Sequence, residues 1–252
     1  MTLPREFYDR PTLEVARDLI GKVLVCRGRT SLTAGAIVEV EAYIGESDAA
    51  CHASAGRTPR NEPLYGPPGL AYVYLSYGVH NLFNVVTERE GRPAAVLVRA
   101  LVPLEGVASM QRRRRADRRR PARIPDHELC RGPGSLARAM GIALADNRAD
   151  VCDGRRLAIE DRSLTYSGVA WSSRIGISAG TEHPWRCYVT GCAAVSGRRS
   201  AGLQTRDPAI PVSRPPAAAA GRGTRRCGPA PVGACAAAPT ECPRRTARPR
   251  HA

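Results

Sequence analysis

The sequence predicts an α+β fold in which an antiparallel sheet is flanked by a few helices. Between residues 22 and 101, short apolar segments are separated by turn-forming Gly, Pro and Asn, a spacing typical of antiparallel strands. Helical patterns are confined to two short segments and do not alternate with the strands, which disfavours an α/β fold. At 252 residues with 43% hydrophobic content, the chain is long enough to bury a substantial core.

An amphipathic helix is predicted first, over residues 9–20. This segment begins with polar residues, carries a proline near its first turn and has apolar residues at positions 13, 16, 19 and 20, and Gly21 ends it. A second, shorter helix is predicted over residues 133–142, where Gly141 provides the stop. The predicted strands are KVLVC, AIVEVEAY, LAYVYLSY, FNVVT and AAVLVRAL, followed late in the chain by RIGIS and WRCYVTG.

The composition changes sharply near residue 205. Of the 47 residues from 206 to 252, 34 are Arg, Pro, Ala or Gly and none is Leu, Phe, Tyr or Trp. Such a segment has too few large apolar groups to form a core. We therefore predict one domain over residues 1–205 and a disordered tail over residues 206–252. The tail is either a basic arm that adds non-specific DNA affinity or the product of a shifted reading frame in GC-rich DNA.

The chain is strongly basic, with 38 Lys and Arg residues against 23 Asp and Glu and a net charge of +15. This balance favours a polyanionic partner, and nucleic acid is the leading candidate. Lys22 is the only lysine, so almost all of the positive charge is arginine, which suits bidentate phosphate contacts. The densest run, QRRRRADRRRPAR at 111–123, is predicted to be a loop or a frayed helix end, either solvated or in contact with phosphates.

The cysteines and the N-terminal sequence argue against a secreted disulfide framework and a zinc ribbon. Nine cysteines are scattered along the chain without a CxxC pair, and the first ten residues contain no apolar signal segment. No apolar run approaches the roughly 20 residues that a membrane helix requires. We predict reduced, mostly buried thiols, no metal, no membrane association and a cytoplasmic protein.

The strand segment IVEVEAY at 37–43 places two carboxylates and an aromatic ring on one face. With a two-residue period, one side of the strand carries Glu39, Glu41 and Tyr43. The other side carries Val38, Val40 and Ala42. The pattern alone is compatible with a solvated face or with a functional site. A loop rich in small residues, Pro and Gly follows this strand, a setting more typical of function than of core packing.

Tyrosines cluster on the next strand, LAYVYLSYG. Tyr72 and Tyr74 share one face, and the pattern is compatible with packing in the core or with a platform on which bases stack. Tyr77 directly precedes Gly78, and a turn there would present the tyrosine ring at a hairpin tip.

Five blocks of sequence together resemble the alkyladenine (3-methyladenine) DNA glycosylase family. The resemblance runs from about Phe7 to about Ser196, and it implies one compact domain with a curved antiparallel sheet, no metal and no cofactor. It also implies a flipped-out alkylated purine in damaged double-stranded DNA as substrate, a monomer and no obligate protein partner. The blocks are EVEAYIGESDAACHASAGRTPRN, YVYLSYGVHNLFNVV, VLVRALVPLEG, ELCRGPGSLARAMGI, and RIGI with EHPWRCYVTG.

The resemblance also implies roles for individual residues. Glu41 matches the family's catalytic glutamate, which activates the water that attacks C1′ of the damaged nucleotide, whereas Glu39 only supports the fold. A carboxylate suits this role because glycosidic cleavage develops positive charge on the sugar. The implied water-holding groups are Arg99 and the backbone carbonyl of Ile175. The implied base pocket consists of Tyr43, His52, Tyr74 and Asn84, where Asn84 disfavours the exocyclic amino group of guanine. The implied DNA contacts are the intercalating Tyr77 and, around it, Gly78, Thr58 and Arg60.

A monofunctional hydrolase is expected, because a lyase needs an amine nucleophile and Lys22 lies outside the matching blocks. Cys187 stands where the family usually has an aromatic residue.

Two other interpretations remain open. One is a non-catalytic nucleic-acid-binding module, and the other is a formyl-group-binding relative connected with translation.

Overall fold

A computed structural model describes residues 1–29, 31–116 and 123–197 of the chain. Within these residues, eight strands form a curled antiparallel sheet, as predicted, in the order β3-β4-β5-β2-β1-β6, with β8 on β2 and β7 on β8. The strands are β1 (Val23–Arg27), β2 (Leu32–Ile44), β3 (Ala71–Ser76), β4 (His80–Val86), β5 (Ala94–Glu105), β6 (Leu157–Glu160), β7 (Val169–Ser172) and β8 (Arg186–Val189). The helices are α1 (Arg5–Tyr8), α2 (Thr12–Leu19), α3 (Val107–Arg115), α4 (Asp126–Leu129) and α5 (Pro133–Met140), and 3₁₀ turns lie at His52–Ala55, Glu62–Tyr65 and Leu144–Asp146.

β2 is the central strand of the sheet. β5 pairs with it along one edge, while β1 and β8 pair with successive halves of the other edge. A β-bulge interrupts the β2–β5 register between Ile37 and Val40. Both of these residues pack in the main core although they are three positions apart, and Val38 packs in a separate small cluster. The predicted grouping of Val38 with Val40 is therefore wrong, because a bulge shifts the alternation of side chains by one residue.

The sheet separates the main core from a second apolar cluster. Ala71 and Val73 of β3 lie in the core with apolar side chains of α2 and α5, whereas the alternate residues Tyr72 and Tyr74 belong to the second cluster. Because strand side chains alternate, one face of β3 is committed to packing and the other is left for a site.

Two predicted elements differ from the structure. The predicted helix over 9–20 is the shorter α2, which begins after Pro11 because proline lacks the amide hydrogen that a preceding turn would need, and the unpredicted single turn α1 precedes it. RIGIS is not a strand. The strand in this part of the chain is β7, and residues 173–180 form bends in which Gly176 has a left-handed φ of 77°. The apolar residues of RIGIS match a strand pattern. The side chain of Arg174 in this segment instead binds Asp48 inside the fold.

The arginine run begins as the last turn of α3. Arg114 is buried and donates to the carbonyl oxygen of Leu129 at 2.9 Å. Arg113 donates to the carbonyl oxygen of Ala139 at 2.8 Å and to Ser31 Oγ at 3.0 Å. For these two arginines both interpretations, a solvated face and a phosphate patch, are wrong, because their donors bind groups of the fold. Arginines 118–120 of the same run lie outside the described residues.

Six cysteines fall in the described part of the chain, and all six are unpaired and at least partly buried, as predicted. No helix among the described residues is long and apolar enough to cross a membrane. The proposed boundary at residue 205 and the tail at 206–252 lie outside the described residues, so this division remains a prediction.

Candidate active site

The two carboxylates of β2 have no exposed surface. The interpretation of this strand face as solvated is therefore wrong. A buried carboxylate is costly unless charged or hydrogen-bonding partners surround it, so the partners of Glu39 and Glu41 determine what each of them can do.

Glu41 accepts three hydrogen bonds from three separate parts of the chain. Arg99 Nη1 on β5 donates to Oε2 at 3.1 Å, and the Tyr43 hydroxyl donates to the same oxygen at 2.9 Å. The backbone N–H of Ile175 donates to Oε1 at 2.7 Å. The structure thus brings together the three residues that the resemblance named for the chemical step, Glu41, Arg99 and Ile175, and adds Tyr43 as a fourth.

Glu39 lies in a more crowded set of donors than Glu41. Arg186 Nε donates to it at 2.7 Å, Arg99 Nε at 3.2 Å, and Ser196 donates through both its backbone N–H at 2.7 Å and its hydroxyl at 3.0 Å. These bonds engage both carboxylate oxygens. The arrangement agrees with a supporting role for Glu39, which anchors Arg99 beside Glu41.

Burial and charge act in opposite directions on these groups. Burial lowers the pKa of Arg99, but the Glu41 and Glu39 carboxylates outweigh it and the pKa is raised from its ordinary value. Burial raises the pKa of the Tyr43 hydroxyl, and the adjacent Glu41 raises it further. Arg99 therefore stays charged and Tyr43 stays a hydrogen-bond donor across the physiological pH range.

A pocket opens on the face of the sheet that carries the second apolar cluster, with about 290 Å³ of space between its walls when the solvent at its mouth is included. All four residues assigned to the base pocket by resemblance line it, and five others line it that the resemblance did not name. The lining residues are Tyr43, Ala50, Cys51, His52, Leu64, Tyr72, Tyr74, Asn84 and Ala95.

An aromatic wall forms one side of the pocket. The His52 and Tyr74 rings meet edge to face with centroids 4.4 Å apart, and the Tyr72 and Tyr74 rings are 5.3 Å apart. His52 Nδ1 and the Tyr72 hydroxyl share a hydrogen bond of 2.7 Å. Burial, followed by the charge of Arg60, lowers the pKa of His52, and burial raises the pKa of Tyr74 to about 12. The wall is therefore uncharged at neutral pH.

Asn84 is buried at the back of the pocket on β4. Its side-chain amide nitrogen donates to the carbonyl oxygen of Tyr72 at 3.0 Å. Because one end of an amide is a donor and the other an acceptor, this bond fixes the orientation of the Asn84 side chain.

The loop between β2 and β3 is held by Asn61. Its side-chain nitrogen donates to the carbonyl oxygens of His52 at 2.9 Å and Gly56 at 2.7 Å, and its oxygen accepts from the Thr58 N–H at 2.7 Å. Arg60 is exposed in the same loop and donates a long hydrogen bond of 3.5 Å to the carbonyl oxygen of Leu75 in β3. This bond puts Arg60 beside the hairpin.

Tyr77 lies at the tip of the β3–β4 hairpin, where the SYG motif predicted it. Its side chain is 92% exposed, and Val79 beside it is 70% exposed. The turn is closed by the Val79 N–H and the Ser76 carbonyl at 3.0 Å, with positive φ angles of 49° at Tyr77 and 70° at Gly78. Positive φ is unfavourable for a bulky residue, so the backbone of Tyr77 is strained while its aromatic ring is exposed at the tip.

Among the residues that the structure describes, no group of three or more His, Cys, Asp or Glu side chains could hold a metal ion.

Sequence reasoning missed four residues around the site, and no periodic pattern would have identified them. They are Asp48, Arg174, Arg186 and Ser196, which surround the carboxylates or the pocket from distant segments.

Known proteins from several organisms resemble this chain. The model of a family described as methylpurine-DNA glycosylase matches residues 6–193. A protein of Methanocella arvoryzae is 50% identical over 199 residues, which cover 78% of this chain and 96% of the relative. Proteins of Chlorobaculum parvum and Myxococcus xanthus are 44% and 43% identical, cover 78% and 77% of this chain, and are themselves covered to 91% and 93%. All three carry the name "Putative 3-methyladenine DNA glycosylase".

Proposed function

The chain belongs to the methylpurine-DNA glycosylase family, and from this premise we propose that it hydrolyses the N-glycosidic bond of alkylated purines such as 3-methyladenine in damaged double-stranded DNA. This reaction begins base excision repair. The observation that carries the proposal is the buried Glu41, held by Arg99, Tyr43 and the Ile175 amide at the edge of an aromatic pocket.

In the proposed reaction, Glu41 orients a water molecule and takes its proton as the water oxygen bonds to C1′. The bond from C1′ to the purine nitrogen breaks, and its electron pair leaves with the base. An alkyl group on N3 or N7 makes the purine cationic, so the pair neutralises the leaving base. The developing positive charge on the sugar is stabilised by the Glu41 carboxylate. The water is held by Arg99 and by the backbone carbonyl of Ile175. The N–H of the same Ile175 binds Glu41.

The flipped base enters the pocket between Tyr43 and the aromatic wall. Rotating a base out of the duplex costs a few kcal/mol, which stacking on uncharged rings partly offsets. Asn84, with its amide orientation fixed by Tyr72, disfavours the exocyclic amino group of guanine.

Tyr77 fills the gap that the flipped base leaves in the duplex. Replacing it by alanine should weaken binding to a duplex that contains an abasic-site analogue by about 5- to 150-fold, because a lost base–aromatic stack costs about 1–3 kcal/mol. The free energy of unfolding should be nearly unchanged, since the ring is 92% exposed. Leu144→Ala, which removes another exposed apolar side chain, should leave binding unaltered. Equal affinity of Tyr77→Ala and the wild type would exclude Tyr77 as the intercalating residue.

Arg60 contacts the phosphate backbone in this arrangement, and Gly78 and Thr58 approach the DNA from the same side. Arg60→Gln should reduce the magnitude of the slope of log affinity against log salt by roughly 0.9. Arg115→Gln is the comparison, because Arg115 is also exposed but belongs to the arginine run at the end of α3. A slope that changes with Arg115 and not with Arg60 would place the DNA against α3 and not against the loop that carries Arg60.

We propose a monofunctional enzyme without lyase activity. The only lysine, Lys22, is held by Asp161 at 2.6 Å at the start of β1 and does not line the pocket. We also propose that the protein acts as a monomer without an obligate partner and associates with the nucleoid through DNA.

The direct test is release of methylated bases from alkylated duplex DNA. We expect free 3-methyladenine, and a strand that stays intact until the abasic site is cleaved by alkali. Binding without base release would instead support a non-catalytic nucleic-acid-binding module.

A further inference from the structure

A buried ion pair next to the pocket takes no part in the reaction as described above. We propose that this pair, Arg174 with Asp48, makes Arg174 a positioning residue that holds Tyr43 and the Ile175 amide in place around Glu41. The inference rests on the proposed function, since it concerns the geometry of the same chemical step.

The pair is completely enclosed. Arg174 Nη1 and Nη2 donate to the two oxygens of Asp48 at 2.6 and 2.8 Å, and neither side chain has exposed surface. A bidentate bond of this kind fixes the plane of the guanidinium as well as its position. Lysine, which offers a single ammonium group, could keep the charge but not the plane.

The guanidinium connects three segments that carry the site. Arg174 Nη1 also donates at 3.0 Å to the carbonyl of Ala42, which lies between Glu41 and Tyr43 in β2. Nη2 donates at 3.1 Å to the carbonyl of Gly180, at the end of the segment that carries Ile175. Asp48 in turn accepts from the backbone N–H groups of Ile44 at 3.1 Å and Ala50 at 3.0 Å, which fixes the start of the loop that leads to His52.

The guanidinium also supports the ring of Tyr43. Its central carbon lies over the Tyr43 ring at 4.7 Å from the centroid, and over the Trp185 ring at 5.1 Å. Tyr43 thus contacts Arg174 while it lines the pocket and donates its hydroxyl to Glu41. A cation against an aromatic face is attractive, so Arg174 favours one orientation of the ring.

Through these contacts, Arg174 controls the geometry of two of the three hydrogen bonds to Glu41. One bond comes from the Tyr43 hydroxyl, and the other from the N–H of the residue that follows Arg174 in the chain. A displacement of about 1 Å in a catalytic group can lower a rate about 100-fold. Loosening Arg174 should therefore slow the chemical step in molecules that remain folded.

Arg174→Lys tests this role. We expect the single-turnover rate of base release at saturating enzyme to fall at least 10-fold, and the affinity for an abasic-site duplex to stay within about twofold, because no base occupies the pocket in that complex. Arg156→Lys is the matched control, since Arg156 makes a similar two-bond contact with Asp146, at 2.7 and 3.0 Å, away from the pocket. It should lower the melting temperature without changing the rate per active molecule.

Gly180→Ala perturbs the pair without changing either partner. An alanine Cβ at this position would lie 2.8 Å from Arg174 Nη2 and 3.2 Å from Asp48 Oδ1. The backbone φ of 64° adds strain, so Gly191→Ala, with φ of 72° and no atom within 4 Å of the new Cβ, is the control for strain alone. We expect Gly180→Ala to slow base release, Gly191→Ala to leave it unchanged, and Gly180→Ala to have less than a twofold further effect once Arg174 is lysine.

The positioning role is overturned if Arg174→Lys and Gly180→Ala lower the melting temperature but release base at the wild-type rate per active molecule. It is also overturned if the two substitutions act independently on the rate. A wild-type protein that releases no methylated base would contradict the proposed function itself, so the two failures are distinguished by the wild-type measurement.

Discussion

Glu41→Gln should abolish base release while largely preserving binding to damaged duplex DNA. Glutamine keeps the shape of the side chain but cannot take a proton from water, and loss of a general base typically costs about 10²–10⁴ in rate. Single-turnover release of 3-methyladenine from methylated duplex, measured with enzyme in excess, reports this step without interference from product release.

The substitution should also destabilise the fold, which has to be measured alongside activity. Every neighbour that binds Glu41 is a donor: Arg99, Tyr43 and the Ile175 amide. In either orientation the glutamine NH₂ group faces one of them, and a buried donor left without an acceptor costs about 1–3 kcal/mol.

Glu39→Gln is the matched control for Glu41→Gln, because Glu39 is equally buried on the same strand and also receives only donors. It should lose comparable stability, and its base release should fall far less than that of Glu41→Gln, because Glu39 acts only through Arg99. Near-normal single-turnover release by Glu41→Gln would remove Glu41 from the mechanism, whatever its effect on stability.

Arg99→Met should be among the most destabilising single substitutions in the protein. Arg99 is the shared partner of Glu39, at 3.2 Å, and Glu41, at 3.1 Å, and its side chain is only 7% exposed. Methionine would fill much of the space but leave two buried carboxylates with one cation fewer. Removing one member of a buried ion pair typically costs about 3–5 kcal/mol, a large part of the roughly 5–15 kcal/mol that stabilises a domain.

The free energy of unfolding in urea would measure this loss, with Arg162→Met as the control. Arg162 also contacts two carboxylates, Glu160 at 2.9 Å and Glu105, but its side chain is 31% exposed. Water can replace its contacts, so the control should lose no more than about 1 kcal/mol. Equal losses for Arg99→Met and Arg162→Met would contradict the view that the carboxylates of β2 depend on Arg99.

Local patterns in the sequence predicted most of the sheet and the position of Tyr77. Strand periodicity and turn residues identified six of the eight described strands, missed β6 and β7, and failed at RIGIS, where the apolar residues lie in bends. The tip position of Tyr77 was predictable because tyrosine followed by glycine at the end of an alternating segment is a local turn signal. The arginine run shows the opposite case, since its charge pattern indicated surface while Arg114 is buried against Leu129.

The sequence by itself determined the α+β class and the shared side of Glu39, Glu41 and Tyr43, and through five blocks of resemblance it predicted which residues form the site. Only the tertiary structure decided that both carboxylates are buried and which groups bind them. The donors to Glu41 and Glu39 come from 58, 134 and 157 residues away in the chain, at Arg99, Ile175 and Ser196. The Arg174–Asp48 pair spans 126 residues. Periodicity describes how neighbouring side chains alternate along one element, whereas the partner of a buried charge is set by which distant elements the sheet brings together, and a local pattern carries no information about that.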